Sequence, residues 1–280
     1  MTALTVLELC DPDETVTIPA EATGIEGTSI YLTAGEELTV RDLLYGLLLS
    51  SGNDAAVALA LHAGGSVSAF VAEMNERAEA LGLTQTHFEN PNGLDGERHY
   101  STARDMANLT AKALKNPIFS EIVATKTYTA GKRCFQNHNR LLWTFNGAIG
   151  VKTGYTERAG RCLVSAVKYK GNTLICVTLS DPDDWVDHRR LLDACKKQYT
   201  TYKLERHVQV PVVGGMESYV TAEFRYSQTA LNATYTVRLY YYPFIYAPVK
   251  KGDVIGYACI NQITVPMRAQ EDIEIYATEE

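Results

Sequence analysis

Gly160-Arg161-Cys162-Leu163-Val164-Ser165-Ala166-Val167-Lys168 and Thr173-Leu174-Ile175-Cys176-Val177-Thr178-Leu179 are two β-rich runs joined by Lys170-Gly171-Asn172. Branched and apolar residues fill both runs, and a Gly-Asn turn between them predicts a hairpin. Upstream of about Tyr128 the patterns are mainly helical, and downstream of the hairpin Trp185 to Tyr202 returns to helical spacing. Helices, then an antiparallel sheet, then a closing helix predict an α+β domain rather than a parallel doubly wound one.

The helical part has readable punctuation. Met1 to Leu9 reads as the last turns of a helix that starts without a capping residue. Thr39 followed by Asp42 is a capping-box start, and the apolar run Leu43 to Leu49 predicts a buried helix ending at Ser50-Ser51-Gly52. Asn53 or Asp54 is expected to cap a second helix, Ala-rich from Ala55 to Ala63 and stopped by Gly64-Gly65. Ser66 to Leu81 sets Phe70, Met74 and Leu81 on one stripe and ends at Gly82. Asn90-Pro91-Asn92-Gly93 and Asp95-Gly96 make a long loop before Ser101 or Thr102 caps a helix to Leu114.

Beyond Leu204 the periodicity is that of strands: His207 to Val212, Thr234 to Tyr241, Val254 to Ile260 and Ile273 to Tyr276, separated by Gly, Pro and Asn. Thr234, Thr236 and Arg238 alternate with Tyr235, Val237 and Leu239, as a sheet with one wet face requires. Two domains are therefore expected, residues 1–204 and a small all-β domain over 205–280.

Composition removes several classes of function. A net charge of -7 with no basic run leaves no support for a nucleic-acid surface. No run approaches the roughly 18 to 20 apolar residues of a membrane-spanning helix, and the first residues lack a secretion-signal pattern. The six cysteines, Cys10, Cys134, Cys162, Cys176, Cys195 and Cys259, include no Cys-x-x-Cys pair and read as buried free thiols. The histidines are equally dispersed, so no metal is expected, and no other cofactor either.

Two short motifs carry chemistry. Ser51-Gly52-Asn53 lies at a helix–helix break, where a tight turn can push a hydroxyl and an amide into a cleft. Lys152-Thr153-Gly154 reads as an edge strand on which alternation sends Lys152 and Gly154 to one face and Thr153 to the other or to the rim. A Lys cation and a Thr hydroxyl suit a substrate carboxylate, each charge-assisted hydrogen bond being worth roughly 1.5–3 kcal/mol, and glycine leaves the approach unblocked. Taken singly, each tripeptide is also what an ordinary helix junction or strand-to-turn segment looks like.

Taken together, in this order and about a hundred residues apart, they are the second and third signatures of serine penicillin-recognising enzymes, whose first is Ser-x-x-Lys. The stretches Leu47 to Ala56, Asn90 to Leu94, His99 to Asp105, Gly150 to Thr156 and Ala159 to Val164 resemble the D-alanyl-D-alanine carboxypeptidases, and the β-rich remainder is similar to the small C-terminal domain of that family. The resemblance implies a β-lactamase/DD-peptidase-like α+β domain followed by a small all-β domain. It implies an enzyme that removes the terminal D-alanine of peptidoglycan stem peptides ending in D-Ala-D-Ala through an acyl-enzyme, reacts with β-lactams and works outside the cytoplasm. It makes Ser51 a proton relay and Asn53 the holder of the substrate amide, with Lys152, Thr153 and Gly154 binding the terminal carboxylate.

The resemblance also places the nucleophilic serine and its lysine just ahead of Met1, so the chain is expected to be truncated and to form no acyl-enzyme. The one substitute, Ser165-Ala166-Val167-Lys168, sits on a predicted strand, where positions i and i+3 point to opposite faces. A class A β-lactamase would also need a Glu-x-x-Leu-Asn-like segment between the motifs, and none is seen. A non-catalytic remnant that binds peptidoglycan or acts as a scaffold is the other alternative.

Overall fold

The computed structural model describes residues 1–231 and 234–276. Ala277 to Glu280, the acidic end, lies outside the described residues. The chain divides into two compact units, Met1–Lys196 and Lys197–Glu280, with the break ahead of the one expected near Leu204.

The first unit runs α1 (Thr2–Leu9), β1 (Thr15–Thr17), β2 (Glu37–Thr39), α2 (Val40–Leu49), α3 (Asn53–Gly64), α4 (Val67–Ala80), α5 (Ala103–Ala113) and α6 (Pro117–Ala124). It continues with β3 (Thr127–Ala130), β4 (Arg133–Gln136), α7 (Leu141–Thr144), β5 (Ala148–Thr156), β6 (Gly160–Tyr169), β7 (Asn172–Thr178) and α8 (Asp184–Gln198). The hairpin read at Lys170-Gly171-Asn172 is β6–β7, and β5 adds to it antiparallel, giving a three-stranded sheet with β5 at one edge. Thr39 caps α2 through the full reciprocal box with Asp42, which fixes where that helix starts.

α3 forms the centre of this unit. Asn53 to Ala60 are all buried, and the alanines among them let α1, α2 and α4 pack close to its axis. Phe70 and Met74 of α4 are fully buried as their stripe predicts, each contributing on the order of 2 kcal/mol, whereas Leu81 is only partly covered.

The second unit is one six-stranded sheet, ordered β10-β12-β13-β9-β8-β11. Its strands are β8 (Tyr199–Val213), β9 (Tyr219–Leu231), β10 (Val237–Tyr241), β11 (Ile245–Tyr246), β12 (Val254–Ile260) and β13 (Ile263–Ala269). Val210, Val220, Phe224, Ile255 and Met267 form its core, and Tyr235, Val237 and Leu239 pack against them as their alternation requires.

Two sequence expectations need correcting here. The closing helix stops at Gln198, because Tyr199-Thr200-Thr201-Tyr202 is aromatic and β-branched and pairs with Gln228 to Leu231 as strand. Ile273 to Tyr276 forms isolated bridges, Val249 with Ile273 and Gly215 with Ile275, instead of a strand.

Candidate active site

The site begins where α2 gives way to α3. Ser51 sits in the left-handed region at φ 60°, a conformation that costs a non-glycine residue energy. Gly52 follows because a Cβ there would lie 2.9 Å from Ile30 Cγ2. Neither Asn53 nor Asp54 caps α3 with its side chain, contrary to the sequence reading; the cap residue is Gly52. The Asp54 carboxylate is instead the buried anchor of the preceding loop, accepting from Ser29 Oγ at 2.6 Å, Ile30 N at 3.0 Å and Leu32 N at 3.1 Å. Asn53 donates its amide nitrogen to the Glu26 carbonyl at 2.7 Å, under Gly27, where a Cβ would meet that nitrogen at 2.7 Å.

The edge strand β5 brings the second motif to the same place. Its register sets Lys152 opposite Val164, Thr153 opposite Leu163, Gly154 opposite Cys162 and Tyr155 opposite Arg161. Lys152 Nζ donates to Ser51 Oγ at 2.9 Å and to its neighbour's carbonyl, Thr153 O, at 2.8 Å. Burial of the ammonium lowers its pKa from 10.5 to about 8.

Two hollows are lined by residues of this strand. Thr153 and Gly154 line a polar one of about 480 Å³ with Thr28, Ser51, His138, Arg140, Arg161, Asp184 and Trp185. Lys152 lines an apolar one of about 220 Å³, walled by Thr2 to Leu4 of α1, Leu47, Leu48, Met74 and the loop at Pro91. A Cβ on Gly154 would come no nearer than 3.7 Å to anything, so the space above this glycine belongs to the polar hollow and is not taken up by packing. Asn53 lines neither hollow.

Sequence reasoning missed several residues of the polar hollow. Arg161 sits just past the β5–β6 turn, and its guanidinium bonds both Asp184 oxygens, at 2.8 and 3.1 Å. His138 is held in place through its backbone N–H to the Leu49 carbonyl, and burial followed by the Lys152 charge lowers its pKa. Register across the hairpin could have pointed to Arg161; nothing in linear spacing brings His138, Arg140 or Trp185 to Lys152.

The Ser165–Lys168 match is divided between two environments. Ser165 is fully buried with its hydroxyl 2.6 Å from His188 Nδ1, while Lys168 Nζ donates to Thr173 Oγ1 at 2.8 Å. The thiol expectation also changes: all six cysteines are free, but Cys176 alone is buried and Cys134 is exposed. The dispersed histidines and cysteines are not all dispersed in space, since ligating atoms of Cys10, Glu14 and His62 lie within 4.8 Å of one another.

A serine at a helix junction, hydrogen-bonded to the lysine of a Lys-Thr-Gly edge strand, is the arrangement expected of the serine penicillin-recognising class. The sequence profile described as D-alanyl-D-alanine carboxypeptidase matches residues 1–183. Bacillus subtilis D-alanyl-D-alanine carboxypeptidase DacF is 36% identical over 222 residues, covering 75% of this chain and 57% of the relative. Escherichia coli DacC is 36% identical over 266 residues, covering 86% of this chain and 65% of its own length. The chain thus spans less than two thirds of these relatives. Among solved structures, penicillin-binding protein 5 from Haemophilus influenzae is 28% identical with a TM-score of 0.69, covering 98% of this chain and 89% of that one. DacD from Francisella tularensis is 25% identical with a TM-score of 0.68, covering 98% and 86%. The chain belongs to the D-alanyl-D-alanine carboxypeptidase family.

Among the described residues, no single helix is long and apolar enough to cross a membrane.

Proposed function

We propose that the polar hollow binds the D-Ala-D-Ala end of peptidoglycan stem peptides, outside the cytoplasm, as the recognition site of a serine D-alanyl-D-alanine carboxypeptidase that also takes β-lactams. The observation that carries this reading is the 2.9 Å hydrogen bond from Lys152 to Ser51, which joins the two motifs into one site. The terminal carboxylate sits against the Thr153 hydroxyl, with the Lys152 cation bonded to Ser51 at the edge of this hollow supplying charge and the β5 backbone beside Gly154 aligning the peptide. Because Ser51 Oγ accepts from Lys152, its own hydrogen is free to point at a leaving amine. A proton then passes from Lys152 to Ser51 as Ser51 gives its own to that nitrogen, and an ammonium near neutral pKa suits the step. Asn53 lines neither hollow; its amide nitrogen is committed to the Glu26 carbonyl, so its part in recognition is to hold the Glu26–Gly27 loop beside the site.

Bond breaking is a separate matter. The 280-residue sequence holds no Ser-x-x-Lys other than Ser165 to Lys168, whose serine is hydrogen-bonded to His188, and we propose that this chain forms no acyl-enzyme by itself.

Calorimetric titration of the 280-residue chain with N,N′-diacetyl-L-lysyl-D-alanyl-D-alanine and with its C-terminal carboxamide tests the recognition claim. The acid is expected to bind at least about tenfold tighter, with Thr153→Ala removing most of the difference. Equal affinity for acid and amide contradicts carboxylate recognition. Intact mass after incubation with a fluorescent penicillin is expected to be unchanged, and a covalent adduct overturns the second claim.

A further inference from the structure

Cys10, Glu14 and His62 come from three separate elements on the far side of the first helix from its active-site end. Cys10 is the residue after α1, Glu14 leads into β1, and His62 is in the last turn of α3. Their ligating atoms lie within 4.8 Å of one another, and His62 Nε2 stands 3.3 Å from Glu14 Oε2. A tetrahedron with Zn–N near ~2.0 Å and Zn–O near ~2.1 Å has an N···O edge of about 3.3 Å. We propose that these three side chains bind one divalent transition-metal ion of the zinc class, with water as the fourth ligand.

The donor set argues for the ion's chemistry. Sulfur, imidazole nitrogen and one carboxylate oxygen suit zinc and cobalt, whereas calcium and magnesium take oxygen. The ends of α1 and α3 that carry Cys10 and His62 are both C-terminal, where unpaired carbonyls favour a cation. His62 and Cys10 are partly covered and Glu14 is exposed, so the site is open on one side for water and for metal entry. In the metal-free chain burial and then the Glu14 charge raise the Cys10 pKa. A cation at this point opposes both effects: the thiol proton leaves to solvent as the sulfur–metal bond forms. The site would tie α1, which walls the apolar hollow beside Lys152, to the central helix.

The other three-residue cluster, Glu205, His207 and Glu223, is a weaker candidate. Arg225 already occupies it, paired to Glu205 at 3.5 Å and hydrogen-bonded to Glu223, and a second cation there is repelled.

Cobalt(II) added to the chelator-treated 280-residue chain is the probe. One equivalent is expected to produce thiolate-to-cobalt charge-transfer absorption in the near ultraviolet and visible bands of tetrahedral cobalt, both displaced by zinc. Cys10→Ser abolishes the charge-transfer band, Cys134→Ser keeps it, and Glu14→Gln and His62→Gln weaken binding at least about tenfold. Circular dichroism matching the parent certifies that each variant folds. Should Cys10→Ser not fold, alkylation of the parent read peptide by peptide decides: zinc is expected to slow modification of Cys10 at least about tenfold. No thiolate band in the parent, an undiminished band in Cys10→Ser, or unchanged alkylation of Cys10 overturns the site.

Discussion

Lys152 Nζ lies 2.9 Å from Ser51 Oγ although 101 positions separate them in the chain, so one hydrogen bond joins the edge strand to the α2–α3 junction. Its donor is an ammonium whose pKa burial has lowered to about 8. An anion in the hollow prefers that group charged. Carboxylate affinity is therefore full below about pH 8 and falls by up to about tenfold per pH unit above it, because Lys152 must first take up a proton. The ligand carboxylate, with an ordinary pKa of about 3.5, stays ionised throughout. Burial and then the Lys152 charge lower the His138 pKa from the ordinary imidazole value, which moves its titration away from the Lys152 step. Titration of the diacetyl tripeptide between about pH 6 and pH 9.5 reads this slope; Lys152→Met is expected to flatten it, and a flat profile in the parent contradicts the charge assignment.

Gly52 is small because Ile30 leaves it no room. A Cβ at position 52 would lie 2.9 Å from Ile30 Cγ2 and 3.0 Å from Asp54 Oδ1, and both neighbours are buried. Gly52→Ala is expected to destabilise the chain by about 1–3 kcal/mol, measured by urea unfolding. Coupling with Ile30→Ala supplies the control: the double variant should lose less than the sum of the two single losses. Additive losses would place the cost somewhere other than this contact.

The same region shows what linear sequence can and cannot say. Thr39 and Asp42 are three residues apart on one helix turn, so their reciprocal bonds are a local property and were legible. The β6–β7 hairpin was legible for the same reason, a short turn between two branched runs, although the turn is Lys170-Gly171 alone and Asn172 already pairs with Tyr169. Asp54 was read as a cap because an acidic residue opens a helix; its actual partners, Ser29, Ile30 and Leu32, belong to a loop whose return could not be foreseen. Strand β9 was missed although Val220, Ala222, Phe224 and Tyr226 alternate with Thr221, Glu223, Arg225 and Ser227, and the charged pair Glu223 and Arg225 bond each other on the opposite side from the core residues. Ser51 and Lys152 were found as motifs. Arg161, Asp184 and His138 join them only through strand register and loop packing.

Arg161 and Asp184 make the next case. Asp184 is 4% exposed in its side chain and holds a guanidinium that is 44% exposed and faces the polar hollow. The buried acid fixes the direction of a cation that is free to meet a ligand on its outer side. Asp184→Asn keeps the size of the side chain and removes the charge, so Arg161 loses its fixed direction. Tripeptide affinity is expected to fall several-fold in Asp184→Asn and about tenfold in Arg161→Leu. If Arg161→Leu binds as tightly as the parent, Arg161 faces the hollow without touching the ligand.

Ser165 supplies the opposite expectation, a serine in a lysine-spaced motif whose loss leaves recognition unchanged. Its hydroxyl is buried against His188 Nδ1 at 2.6 Å, and His188 Nε2 is 3.1 Å from Thr178 Oγ1, so the imidazole is held between two hydroxyls under α8. Ser165→Ala removes that hydroxyl from a fully buried ring, which costs about 1–3 kcal/mol. Burial lowers the His188 pKa, which opposes offsetting the loss by protonation of the ring. Urea unfolding is expected to register that cost while calorimetry finds tripeptide affinity equal to the parent's. A variant of parental stability whose ligand binding is lost would reverse the assignment and make Ser165 part of the site.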